Sequence, residues 1–123
     1  MNISLTCESK KTKFIQIVKN LNKFSEFINM VFGVSGVSIE GMDQSRISIY
    51  MIKLGNDWFD VYKVKTDSRI GINSNTFAKI LQICKDDDEL LLSLCEENQD
   101  SLKIAFHSKN SFAKQFDIPL VDV

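Results

Sequence analysis

Hydrophobic and polar positions change period several times along this chain, and each change marks an element. Through Arg46-Ile47-Ser48-Ile49-Tyr50-Met51-Ile52 apolar residues recur with a period near two, which predicts a strand from Arg46 to Leu54 with one buried face. A second strand, Val37 to Met42, precedes it, and the polar corner between them carries Met42, Asp43, Gln44, Ser45 and Arg46. Nearer the start, Asn2 to Cys7 reads as a short strand with Ile3, Leu5 and Cys7 on one face. Ser9 then offers an N-cap for a helix through about Phe24. Inside it Phe14, Ile17, Val18 and Leu21 follow i, i+3, i+4, i+7, and Thr12, Gln16, Lys19 and Lys23 fall on the opposite side. Glu26 to Phe32 is a strand candidate with Gly33 to Gly36 as its turn. Gly55-Asn56-Asp57 reads as a hairpin turn into a strand from Trp58 to Val64.

The same order then repeats. A strand from Arg69 to Asn73 leads into a helix capped by Asn73 or Ser74, with Phe77, Ile80, Leu81 and Cys84 on its apolar stripe. Subtracting 14 from 77 gives an offset of 63, which carries Ile17 onto Ile80, Val18 onto Leu81 and Leu21 onto Cys84. The same shift sets Glu26-Phe27 on Glu89-Leu90, Val31-Phe32 on Leu94-Cys95 and Ile39 on Leu102. Strands Leu90 to Cys95, Ser101 to His107 and Ser111 to Ile118 complete the second copy, which Pro119 ends. The chain therefore reads as one α+β domain over residues 1–123, a tandem β-α-β-β-β duplication with repeats of about 1–64 and 65–123. Two helices pack on one side of antiparallel sheets of about eight strands. Their outward faces would lie next to each other, with Asn75, Lys79 and Gln82 coming from the second helix.

Composition narrows the function classes. The chain has 123 residues, 44% hydrophobic and 25% charged, within the range of one globular domain. No stretch approaches the ~18 consecutive apolar residues of a membrane span, and an intracellular protein is the expectation. Cys7, Cys84 and Cys95 form an odd set without metal-ligand spacing, expected to be buried reduced thiols. No phosphate-cradling glycine loop is present, and the single histidine, His107, sits at a strand end beside Ser108 and reads as a surface or strand-end residue rather than a general base. Asp86-Asp87-Asp88-Glu89 lacks the spacing and turn glycine of a calcium loop and reads as a solvated turn. Asp57 and Asp60 flank Trp58 and Phe59 as at a hairpin end. These absences argue against an enzyme and against any cofactor or metal.

Two surfaces remain. The net charge is −1, yet Lys10, Lys11, Lys13, Lys19 and Lys23 gather early in the chain. Lysines on the faces of two neighbouring helices suit phosphates by counterion release, without reading sequence. A solvated helix face is the plainer reading of the same pattern. The second surface is the corner from Met42 to Ile49, where a flexible methionine beside branched residues suits a partner's apolar anchor, or simply core.

The segments GVSIEGMDQSRISIYMIKL, WFDVYKVKTDSRIGINSNTFAKIL and IPLVDV, in that order, resemble those of the proliferating cell nuclear antigen (PCNA) family of DNA sliding clamps, chiefly its N-terminal domain. The resemblance covers nearly all of the chain. It implies the DNA-clamp (processivity-factor) fold, in which helices line the hole of a ring and sheets form its outside. It also implies weak, sequence-independent encirclement of double-stranded DNA and tethering of DNA polymerase and other proteins that carry clamp-binding peptides. A clamp loader, self-association into a ring and a place at the site of DNA replication, the nucleus in a cellular eukaryote, follow from the same resemblance. A clamp-fold scaffold or checkpoint-type subunit that binds proteins without sliding is the alternative.

Carried onto this sequence, the resemblance makes Lys11, Lys13, Lys19, Lys23, Lys79 and Gln82 DNA-facing. It makes Met42, Arg46, Ile47 and Ile49 the partner-peptide groove, with Arg46 where the family commonly has histidine. Lys114, Phe116, Ile118 and Ile83 become the subunit-interface edge. Family chains have two such domains and a connector, and Asp122-Val123 falls about where that connector would begin. The expectation is either the first half of a longer chain, in a trimer of two-domain protomers, or a one-domain clamp assembling as six.

Overall fold

A computed structural model describes residues 1–42, 49–85, 88–94, 101–108 and 113–121, with Met42 described by its backbone alone. Its elements in order are β1 (Asn2–Leu5), α1 (Glu8–Phe24), β2 (Phe27–Gly33), β3 (Gly36–Met42), β4 (Ile49–Gly55), a 3-10 turn (Asn56–Trp58), β5 (Val61–Lys63), β6 (Ser68–Asn73), α2 (Ser74–Leu81), β7 (Glu89–Leu94), β8 (Ser101–His107) and β9 (Ala113–Pro119). Alternation decides the strands. Ile28, Met30 and Phe32 of β2 and Leu90, Leu92 and Leu94 of β7 all point into one buried cluster. The residues between them face outward.

The strands form two antiparallel sheets, in the orders β5-β1-β7-β8-β9 and β4-β3-β2-β6. The duplication is visible in this arrangement, with a twist the sequence did not suggest. Each repeat gives its first strand to the other repeat's sheet: β1 pairs with β7, and β6 pairs with β2. The helices run antiparallel, packed on the sheets, and the equivalent residues Phe14 and Phe77 meet edge to face, 6.1 Å between ring centroids.

Several boundaries differ from expectation. Helix α1 starts one residue before Ser9, with Cys7 at the N-cap; the Cys7 thiol lies 3.3 Å from the Ser9 hydroxyl. Cys7 is exposed rather than buried, whereas Cys84 is half-buried and follows the end of α2. Asn73 caps α2 as expected, its side chain accepting from the Thr76 N–H at 3.0 Å. Arg46 to Ser48, expected to open β4, lie outside the described residues.

Gly55-Asn56-Asp57 does not make a hairpin. The chain instead crosses to the other sheet, where β5 pairs with β1. Buried Phe59 and half-buried Trp58 anchor the crossing, with Trp58 6.5 Å from Phe14. The Tyr62 hydroxyl donates to the Gly33 carbonyl and ties the two sheets together. At the turn between β2 and β3, Gly36 sits at φ 153°, and a Cβ there would lie 2.3 Å from the Leu54 carbonyl oxygen.

The offset of 63 holds for the helices and fails for the strands. Inward Ile28 and Met30 correspond to Leu90 and Leu92, an offset of 62, while Val37 and Ile39, paired with Phe32 and Met30, correspond to Leu102 and Ile104, an offset of 65. Because strand side chains alternate, a shift of one residue exchanges the two faces.

Candidate nucleic-acid interface

Along α1 and α2 the sole acid is Glu8, in the first turn of α1, against six lysines. Lys13, Gln16, Asn20 and Lys23 are exposed along one side of α1, spaced three and four residues apart. Gln16 donates to Asn20 at 3.2 Å along that row. Lys19 is half-buried at its border, and Asn75, Lys79 and Gln82 are exposed on α2. The helix pair therefore presents a basic and amide-rich surface, with the apolar stripe Phe14, Val18, Leu21, Phe77 and Leu81 beneath it.

Lys11 does not belong to that surface. It is 2% exposed, and its ammonium donates to the carbonyls of Lys85, at 3.2 Å, and Asp88, beyond the end of α2. The corresponding position in α2, 63 residues on, is Ser74. Ser74 is also fully buried, and its hydroxyl donates to the carbonyls of Ser25, at 2.5 Å, and Glu26, at 3.0 Å, beyond the end of α1. Each helix thus pins, near its own start, the segment that follows the other helix. Lys11 shares a phase with Phe14, Val18 and Leu21, and that spacing was the signal that it faces inward.

The acidic positions also differ from expectation. Asp88 is buried rather than solvated, its carboxylate accepting from the Lys85 N–H at 2.9 Å. Asp86 and Asp87 lie outside the described residues. Asp60 closes no hairpin and accepts from the Thr6 N–H at 2.5 Å, a bond that holds its carboxyl below the usual carboxylate range. Burial, with the charge of Asp67 added, pushes the Tyr62 phenol up to about 12. Among the described residues no cluster of three metal-ligating side chains exists, and no helix is long and apolar enough to cross a membrane.

Of the groove residues, Arg46 and Ile47 and the side chain of Met42 lie outside the described residues. Ile49 is 70% exposed, and Met51 beside it on the outward face of β4 is 56% exposed. Pattern reading missed Met51. The continuous apolar run from Ile49 to Ile52, apolar on both strand faces, was its signal.

The edge residues divide. Lys114 is exposed, Ile83 is 41% exposed just past α2, and Phe116 is half-buried 5.9 Å from Phe106. Ile118 is 1% exposed, so its side chain belongs to the domain's own core and only its main chain lies at the edge. Strand β9 is the terminal strand of its sheet, and β4 is terminal in the other. Both are seven residues long, two long edges with unpaired main-chain groups.

This architecture has counterparts. Residues 6–123 match the family model described as "Proliferating cell nuclear antigen, N-terminal domain". The chain belongs to the proliferating cell nuclear antigen family. It is 29% identical over 97 residues to the "Probable DNA polymerase sliding clamp 2" of Paramecium bursaria Chlorella virus 1, a match covering 79% of this chain and 36% of that one. Against the proliferating cell nuclear antigen of Dictyostelium discoideum it is 25% identical over 109 residues, 88% of this chain and 42% of the relative. Among solved structures, a PCNA2–PCNA3 complex from Sulfolobus tokodaii matches at TM-score 0.88 and 24% identity, covering all of this chain and 47% of its own. PCNA from Thermococcus kodakaraensis matches at TM-score 0.86 and 21% identity, covering 98% and 46%. The fold is thus the α+β DNA-clamp fold. The chain spans less than half the length of each of these relatives.

Proposed function

We propose that this chain is a DNA sliding clamp domain that contributes to a ring around duplex DNA, with α1 and α2 facing the duplex. The observation that carries this reading is the pair of antiparallel helices whose exposed side holds Lys13, Lys23 and Lys79, with half-buried Lys19 at its border and no acid after Glu8. Such a surface attracts phosphates of any sequence and holds none in fixed geometry, which suits sliding. Neighbouring domains join by main-chain pairing at the free edges of β4 and β9, so processivity comes from topology. The domain has no catalytic role of its own. Polymerase and other partner peptides dock against the outward side of β4 at Ile49 and Met51, and a clamp loader opens and closes the ring at the site of DNA replication.

Two measurements test this. Charge reversal at Lys19, Lys23 and Lys79 in an assembled ring is expected to abolish stimulation of a DNA polymerase on a long template. Unchanged stimulation would assign the chain to a protein-binding scaffold instead. Light scattering over a concentration series reads the assembly directly: a six-subunit species marks a domain that closes its own ring. A monomer at every concentration marks one whose edges need a second domain.

A further inference from the structure

Phe24, the last residue of α1, is 48% exposed, and its ring lies 5.2 Å from that of Tyr50 at an interplanar angle of 31°. Tyr50 is on the inward face of β4, in phase with Ile52 and Leu54, and all three are only half-buried. Because β4 is the terminal strand of its sheet, the aromatic pair stands at a free edge, on the helix side. Exposed Lys23 and Glu26 bracket Phe24, one charge of each sign. The other free edge shows the converse. Along β9 the inward phase runs Lys114, Phe116, Ile118, and burial rises along it from exposed through half-buried to 1% exposed. Lys114 is thus a charge in a core phase, opposite buried Phe106 on β8. It has no carboxylate within ion-pair distance among the described residues, where the one ion pair is Arg69 with Glu40.

We infer that the ammonium of Lys114 seats on the Phe24–Tyr50 pair of a second copy of this chain, beside the pairing of β9 with that copy's β4. The inference rests on the ring reading above and names the side-chain contact that makes a copy of the chain a fitting neighbour. Aromatic faces attract a cation within about 6 Å of the ring centroid, more strongly once water is displaced. Antiparallel pairing, the kind found throughout both sheets, puts the Cβ atoms of opposed residues about 5 Å apart. With Lys114 opposite Tyr50, Gln115 falls opposite Ile49 and Ala113 opposite Met51, so neither exposed apolar side chain of β4 meets a charge. Sliding β9 to set Phe116 opposite Tyr50 would put Asp117 against Ile49 instead. The contact is heterologous, each copy lending β9 to the next copy's β4, which is the kind of interface that closes rings. A charge pointing inward on an edge strand also serves to discourage pairing, and the two roles predict opposite effects of removing it.

Light scattering over a concentration series tests this on the parent chain, with Lys114→Met, Lys114→Arg and Phe24→Leu alongside. For the parent, mass that rises with concentration is expected. Lys114→Met keeps the stem and Phe24→Leu keeps an apolar side chain; each should weaken association about fivefold, whereas Lys114→Arg should retain it. The double variant Lys114→Met with Phe24→Leu should be no weaker than either single one, since both remove the same contact. Both positions are exposed, so the variants keep the core intact. Unchanged or tighter association of Lys114→Met would mean that the lysine only guards the edge, and would overturn the inference. Losses that multiply in the double variant, or a parent that is monomeric at every concentration, would overturn it too. A monomeric parent leaves the ring reading standing, with a different domain as neighbour. Failure of the ring reading shows elsewhere, as polymerase stimulation that survives charge reversal of the helix face.

Discussion

Replacing Lys11 with methionine separates a structural lysine from a DNA-facing one. The substitution keeps the apolar stem and removes the ammonium. The Asp88 carbonyl then loses this donor, and the Lys85 carbonyl keeps only the Asp88 N–H, in a site where the Lys11 side chain is 2% exposed. A hydrogen bond to a charged group contributes about 1.5–3 kcal/mol, and leaving a buried acceptor unmet costs a similar amount. Part of this is offset, because the charge no longer has to be held away from water. A net loss of about 3 kcal/mol is expected, which lowers the midpoint of thermal unfolding by about 10 °C in a domain of this size. Circular dichroism melts and urea titrations at pH 7 measure it, with exposed Lys13→Met as the comparison, expected to stay within about 0.5 kcal/mol of the parent. Ser74→Ala at the mirror position should cost about 1–2 kcal/mol for the same reason. Equal melting of the Lys11 and Lys13 variants would refute the reciprocal pinning of the helices and return Lys11 to the surface.

Three further outcomes follow from individual contacts. Ser4→Ala removes a hydroxyl that has no partner among the described residues and should stabilise the free chain by about 1 kcal/mol in urea titration; a loss of stability would mean the hydroxyl is bonded in solution. Asp60 has its carboxyl held down by the Thr6 N–H, so its contribution is present above the unfolded value near 3.9 and is lost as pH falls through the lower folded value. Asp60→Asn should therefore lower the melting temperature at pH 7, with the gap closing in acid; a gap that is constant with pH would contradict the assignment. Tyr62 is raised by burial, so the stability it supplies is complete below about 10 and fades as pH rises through about 12. Ultraviolet titration should show a phenol ionising near 12 that disappears in Tyr62→Phe, a variant expected to cost about 1 kcal/mol at pH 7.

What the sequence disclosed followed from periodicity. The stripe Phe14, Val18, Leu21 and its copy Phe77, Leu81 fixed which side of each helix is buried, and 3.6-residue spacing tolerates small errors of phase. Strands do not tolerate them. The helix offset of 63, extended to β2 and β7, placed Phe32 opposite Cys95 when its inward counterpart is Leu94. Lys11 was read by residue type rather than by position, and a lysine with carbonyls to bond is an exception to the rule that charges lie outside. The crossing at Asn56 to Asp60 was not legible at all. A glycine before a polar pair signals a turn, and what sends the chain to the other sheet is the burial of Phe59, a contact distant in sequence.

The exchange of first strands between the two repeats has a consequence for how the halves relate. Cut anywhere in 64–67, the first half would hold β1 and β5 of the second half's sheet and the second half β6 of the first half's, and Phe14 and Phe77 would each lose the other's ring. The two fragments would be complementary, each holding strands of the other's sheet. The short link at 64–67 then acts as a tether, raising the effective concentration of one half for the other. On this view the domain is a clasped dimer whose two members happen to share one chain.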